Sequence, residues 1–128
     1  MPARRRIDPI AGLAAIERWR RAPDHAGREL IALAVRYSLE ELAARYPGRS
    51  TEVRVPPFAA VQCIQGPRHT RGTPPNVVET DPQTWLGLVT GSTGTTGWSL
   101  ALANGTLRAS GERSDLSALL PLFVAPPG

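Results

Sequence analysis

The sequence predicts an α/β (α+β) domain: a mainly antiparallel sheet backed by helices, with two helices at the N-terminus. Three observations predict it. Apolar residues recur at spacings of three and four across residues 24–46, the period of a helix with a buried face. From Thr51 onward the period drops to two, which suits half-buried strands. At 128 residues the chain is long enough to bury roughly two thirds of its unfolded surface in one core. No linker divides it, so residues 1–128 are read as a single domain, with 1–7 as a frayed basic end.

The elements follow in order. Asp8-Pro9 starts a first helix, because Asp caps free amides and Pro suits the first helical position. Ile10, Leu13, Ile16 and Trp19 form its apolar stripe, and Pro23 ends it. Asp24 caps a second helix running to Tyr46, with Ile31, Val35, Leu39, Leu42 and Tyr46 on its apolar stripe. Arg28, Arg36 and Glu40 fall off that stripe, and Pro47-Gly48 stops the helix.

Thr51, Val53 and Val55 alternate with Glu52 and Arg54 as a strand. Pro56-Pro57 interrupts, since neither proline donates a backbone hydrogen bond. Residues 58–65 resume the sheet, with Val61 and Cys63 on one face and Gln62 on the other. Gly66-Pro67 opens a connection, and Asn76–Thr80 is a third strand. Asp81-Pro82 repeats the start signal of Asp8-Pro9 for a short helix, whose apolar side is Trp85, Leu86, Leu88 and Val89 and whose stop is Gly91. After the polar "GSTGTTG", residues 98–105 give one or two helical turns, and 106–110 alternate as a fourth strand. Ser114 caps a last helix from Asp115 toward Leu120, ahead of an apolar tail.

Charge is uneven. Residues 1–49 hold ten Arg and six acids, a net +4, whereas residues 50–128 hold five of each. No lysine occurs, and the arginines are scattered, so the basic N-terminal part reads as a solvated face in preference to a nucleic-acid patch. It would still attract anionic partners in a general way. A single cysteine excludes an intrachain disulfide framework and fits a reducing compartment. Asp8, Pro9 and Glu17 interrupt any signal-like apolar run, and no stretch approaches the ~18 apolar residues of a membrane span. A cytoplasmic location is expected.

The motifs that invite chemistry are weak. "GSTGTTG" lacks the lysine of a phosphate loop and joins two helices, so it reads as a connector. His25 and His69 are far apart without metal-ligand spacing, and no metal or cofactor is expected. Cys63 takes the place of a small inward-facing residue, where thiols are inert. The segment "RHTRGTPPN" is the one loop with a chemical case. Arg68 and Arg71 beside His69 would hold a carboxylate or phosphate through charge-assisted hydrogen bonds. The competing reading is an exposed connection that Pro74-Pro75 stiffens.

Two stretches, "NVVETDPQTWLGLVTG" and "ALANGTLRASGERSDLSALLPLF", resemble the sterol carrier protein family. The matching pieces are Asp81 through Gly91, the Ala103–Leu107 step, Ser110-Gly111 and Leu116 through Phe123. The segment "VRVPPFAAVQCIQGPRHTRGTPPNVVE" is similar to the small bacterial members of that family, chiefly actinobacterial. The resemblance implies a curved five-stranded sheet backed by helices and enclosing an apolar tunnel for fatty acyl or sterol-like ligands. The Pro56-Pro57 break and the extra first helix depart from the family pattern.

The expected function is therefore non-enzymatic binding of an apolar or amphipathic ligand between sheet and helices. Candidate lining residues are Trp85, Leu88, Val89, Trp98, Leu102 and Phe123, with Arg68, His69 and Arg71 as candidate headgroup contacts. The alternative is a protein-interaction domain with a filled core and a basic N-terminal face. The expected partner is a hydrophobic small molecule or lipid, with a protein partner as the alternative.

Overall fold

The structure, a computed structural model, describes residues 6–66 and 76–124. Helix α1 (Pro9–Arg21) starts where expected: Asp8 accepts the amide of Ile10, and Pro9 takes the first position. Its buried face differs from the expected stripe. Gly12, Ala15, Ile16 and Trp19 are buried, while Ile10 is 79% exposed and Leu13 45% exposed. The reason is helical geometry. At about 100° per residue, steps of three drift by about 60° each. Ile10 and Trp19 therefore lie on opposite sides, and only one end of that series can face inward.

Helix α2 (Arg28–Arg45) begins later than Asp24. Pro23–His25 instead form a single 3-10 turn, and Gly27, at φ +76°, precedes the helix without a side-chain cap. That positive φ redirects the chain at little steric cost because glycine has no Cβ. Between residues 31 and 44 only Arg36 is exposed. α2 meets α1, α3 and the sheet, so a helix expected to bury one stripe is covered around most of its girth.

The strands are β1 (Thr51–Val55), β2 (Ala59–Cys63), β3 (Asn76–Thr80) and β4 (Leu107–Ser110). They form one open sheet in the order β2-β1-β3-β4. β1 pairs antiparallel with β2 and parallel with β3, and β3 pairs antiparallel with β4. Two of three pairings are thus antiparallel. The resemblance implies five strands; the described residues contain four.

Val53, Val55, Cys63 and Val78 share one buried cluster with Val35, Leu39 and Leu42 of α2, as the two hydrophobic periods require. Ile31 and Val61 pack at its margin. The opposite face of the sheet is charged. There Arg54 lies 2.5 Å from Glu52 and 3.9 Å from Glu79, its neighbour in register on β3.

Helices α3 (Pro82–Thr90) and α4 (Gly97–Asn104) follow β3. Asp81 caps α3 by accepting the amide of Thr84 at 2.8 Å and its hydroxyl at 2.7 Å. Gly91 and Gly105 close the two helices at φ +75° and +82°.

The last helix, expected from Asp115 toward Leu120, is not formed; turns occupy that segment. Asp115 accepts both the amide and the hydroxyl of Ser117, a local geometry that competes with a helix. The chain beyond is docked on α3, with the amides of Leu122 and Phe123 donating to Val89 O, each at 2.9 Å. Tertiary pairing overrides the local helix signal. Among the described residues, no helix is long and apolar enough to cross a membrane.

Candidate functional site

The space between sheet and helices, where the resemblance places a tunnel, is filled by side chains. Trp85 is completely buried, and its indole Nε1 donates to Ser38 Oγ at 2.8 Å. Leu39, Leu42, Leu86 and Val89 are likewise 2% exposed or less.

A pocket of about 320 Å³ lies elsewhere, between α3, α4 and the C-terminal segment. Leu88 and Trp98 supply apolar wall from the two helices, Leu120 and Pro121 supply it from the terminal segment, and Thr95 and Ser117 add hydroxyls. Gly91 and Gly94, from the polar connector, complete it. Among the described residues no strand residue and no charged side chain lines it.

Local packing builds this pocket. Thr93 sits where the α3–α4 connector folds back, its amide and hydroxyl both donating to Gly87 O, at 3.4 and 3.3 Å. A Cβ on Gly87 would lie 2.8 Å from Thr93 Cγ2, and one on Gly97 would lie 2.1 Å from Thr93 Oγ1. The two glycines therefore let the threonine wedge between the helices.

The third wall is held by Arg20, reaching across from α1. Its Nη1 donates to Thr90 O at 3.2 Å and its Nη2 to Phe123 O at 3.1 Å, with the Glu17 carboxylate 3.2 Å from Nε. Ser117 is oriented by Asp115: its hydroxyl donates to Asp115 Oδ1 at 2.7 Å and its amide to the same oxygen at 3.0 Å. Those bonds, the hydroxyl's first, hold the Asp115 carboxyl below its ordinary range.

Of the six expected lining residues, Leu88 and Trp98 are brought together at the pocket. Trp85 and Val89 are core instead. Phe123 stacks on Tyr37 with ring centroids 5.8 Å apart, and Arg45 lies over its ring. Leu102 is exposed on α4, beside the exposed Leu100. Arg68, His69 and Arg71 lie outside the described residues.

Thr95, Ser117, Leu120 and Pro121 were missed. The connector reads as inert, Ser117 and Leu120 belong to a segment expected to be helical, and Pro121 opens the expected apolar tail. The glycines of "GSTGTTG" and the proline at 121 were the available signals.

Other groups offer less. His25 is exposed on its 3-10 turn. Cys63 is fully buried, and burial pushes its thiol up to about 12, so it is a protonated core group. No group of three or more His, Cys, Asp or Glu suited to a metal occurs among the described residues. A larger pocket of about 540 Å³ at the C-terminal end of α2 includes Arg45, Arg113, Glu112 and Asp115 in its lining. Its two cations and two anions offset one another, so it presents no field of one sign.

A family model described as bacterial SCP ortholog matches residues 27–122. No curated protein matches the chain.

Proposed function

The chain belongs to the bacterial SCP ortholog family, and from that premise we propose that it is a non-catalytic carrier of an apolar or amphipathic small molecule. The pocket between α3, α4 and the C-terminal segment is its binding site. One observation carries this reading: Leu88 and Trp98 converge with Leu120 and Pro121 on a space of about 320 Å³. That is the lower end of the range for small-molecule sites. Removal of apolar surface from water, worth about 25 cal/mol per Å², drives binding, less the cost of immobilising the ligand.

Tryptophan emission tests it. Trp98 lines the pocket, whereas Trp19 and Trp85 are core residues whose indoles donate to Gln83 Oε1 and Ser38 Oγ. A decyl-chain amphiphile is expected to change emission saturably, and Trp98→Phe to abolish the change in a protein that remains folded. A response that persists in Trp98→Phe, or no saturable response, would sink the assignment.

A second reading, an interaction domain, rests on a separate observation. Ile10 and Leu13 project from α1, which also exposes Arg18 and Arg21 toward its C-terminal end, and the interior beneath is filled. An apolar patch with a basic margin suits an anionic or mixed partner surface. Ile10→Ser with Leu13→Ser is expected to abolish capture of such a partner without altering the emission titration.

A further inference from the structure

Resting on that pocket reading, we propose that the ligand is a short amphiphile of about ten carbons whose polar end donates a hydrogen bond and carries no negative charge. An alcohol fits; a carboxylate does not. Three features of the site lead there.

Size comes first. A cavity of roughly 150 Å³ holds one benzene ring. A pocket of about 320 Å³ therefore takes about two ring-sized groups, or a chain of comparable bulk. It does not enclose a long acyl chain or a four-ring skeleton.

The second feature is the state of Ser117. A hydroxyl has one proton to donate and two lone pairs to accept with. The Ser117 proton is committed to Asp115 Oδ1 at 2.7 Å. What the hydroxyl has left for a ligand is acceptor capacity, reinforced by the carboxylate behind it. A ligand O–H meets that need, whereas an ionised carboxylate presents only acceptors and faces lone pairs with lone pairs.

Third is the missing counter-charge. The described lining holds no cation. Arg20 of α1, which reaches the terminal segment, directs its two Nη groups to the carbonyls of Thr90 and Phe123, and Arg113 lines the separate pocket at the C-terminal end of α2. Arg45 is paired with Glu41 at 2.5 Å. A carboxylate entering the pocket loses hydration and meets at most the uncharged Thr95 hydroxyl, with no cation to offset its charge, and it approaches the Asp115 charge.

The test compares 1-decanol with decanoate at neutral pH, both below aggregation, by Trp98 emission on the full chain. Decanol is expected to bind at least tenfold more tightly. Ser117→Ala, an exposed substitution, should remove most of that preference by weakening decanol. Asp115→Asn should strengthen decanoate several-fold by removing the like charge. Equal or tighter binding of decanoate through a Trp98-dependent response would overturn this proposal and leave the carrier reading standing. A preference unchanged in Ser117→Ala would also overturn it. Absence of any response to either compound would overturn both.

Discussion

Gly97 faces Thr93 across a gap that leaves no room for a side chain: a Cβ on Gly97 would lie 2.1 Å from Thr93 Oγ1 and 2.8 Å from Thr93 Cβ. This contact sets how closely the α3–α4 connector folds onto α4, and so where Trp98, the next residue, is placed. Gly97→Ala is expected to destabilise the protein by about 1–3 kcal/mol, the usual cost of overpacking. Thr93→Ala in the same chain should restore part of the loss, because the two sites touch and their effects cannot add. Urea denaturation of the two single variants and the double variant measures this. Strict additivity would show that the contact is not the cause.

The same geometry between α1 and α2 gives a second prediction. A Cβ on Gly12 would lie 2.2 Å from Cγ of Tyr37, so α1 docks with its backbone against that ring. Gly12→Ala should cost about 1–3 kcal/mol despite alanine's better helix propensity. On the same helix, Ile16→Ala should cost about 2–5 kcal/mol and Ile10→Ala less than about 0.5. Equal costs at Ile10 and Ile16 would mean that α1 docks on another face in solution.

Ser38→Ala removes the acceptor of the buried Trp85 indole, which donates from Nε1 to Ser38 Oγ at 2.8 Å. An unsatisfied buried donor costs about 1–3 kcal/mol. The melting temperature should fall accordingly, while the pocket titration keeps its affinity, since neither residue lines the pocket. A large loss of ligand affinity would place Trp85 nearer the site than the fold indicates.

Cys63 predicts a pH dependence. Burial raises its thiol from an ordinary 9.0 to about 12, so above pH 9 the unfolded chain gives up this proton while the folded chain keeps it. The unfolded state then binds fewer protons, and stability falls as pH rises, by up to about 1.4 kcal/mol per unit between the two values. Below pH 9 the group contributes no slope. The difference in urea midpoint between the parent and Cys63→Ala should therefore be flat near pH 8 and shrink toward about pH 10.5. A difference that stays constant over that range would refute the burial effect. Thiol reagents should react near neutral pH only after denaturant is added.

Much of the backbone was legible from local chemistry. Asp8-Pro9 and Asp81-Pro82 act as helix starts because a short carboxylate reaches free amides within its own turn, and no distant residue is needed. Gly91 stops α3 for an equally local reason, its positive φ. The alternation of β1 and β3 is readable because one sheet face is covered and the other is charged. The match to the family, over residues 27–122, covers all of these but Asp8-Pro9.

What the sequence did not reveal depends on contacts between distant segments. Which side of α1 faces inward follows from Gly12 meeting Tyr37, a pairing with no local signature. The last helix is absent because Val89 O captures two amides and Asp115 ties up Ser117, although Ser114 and the apolar run after it favour a helix locally. The pocket depends on both. Leu88 and Trp98 are recognisable as apolar positions on short helices, and sequence alone makes them equal to Trp85 and Val89. Only the docking of the terminal segment separates the two pairs, because solvent access is a property of packed surfaces and not of residue type.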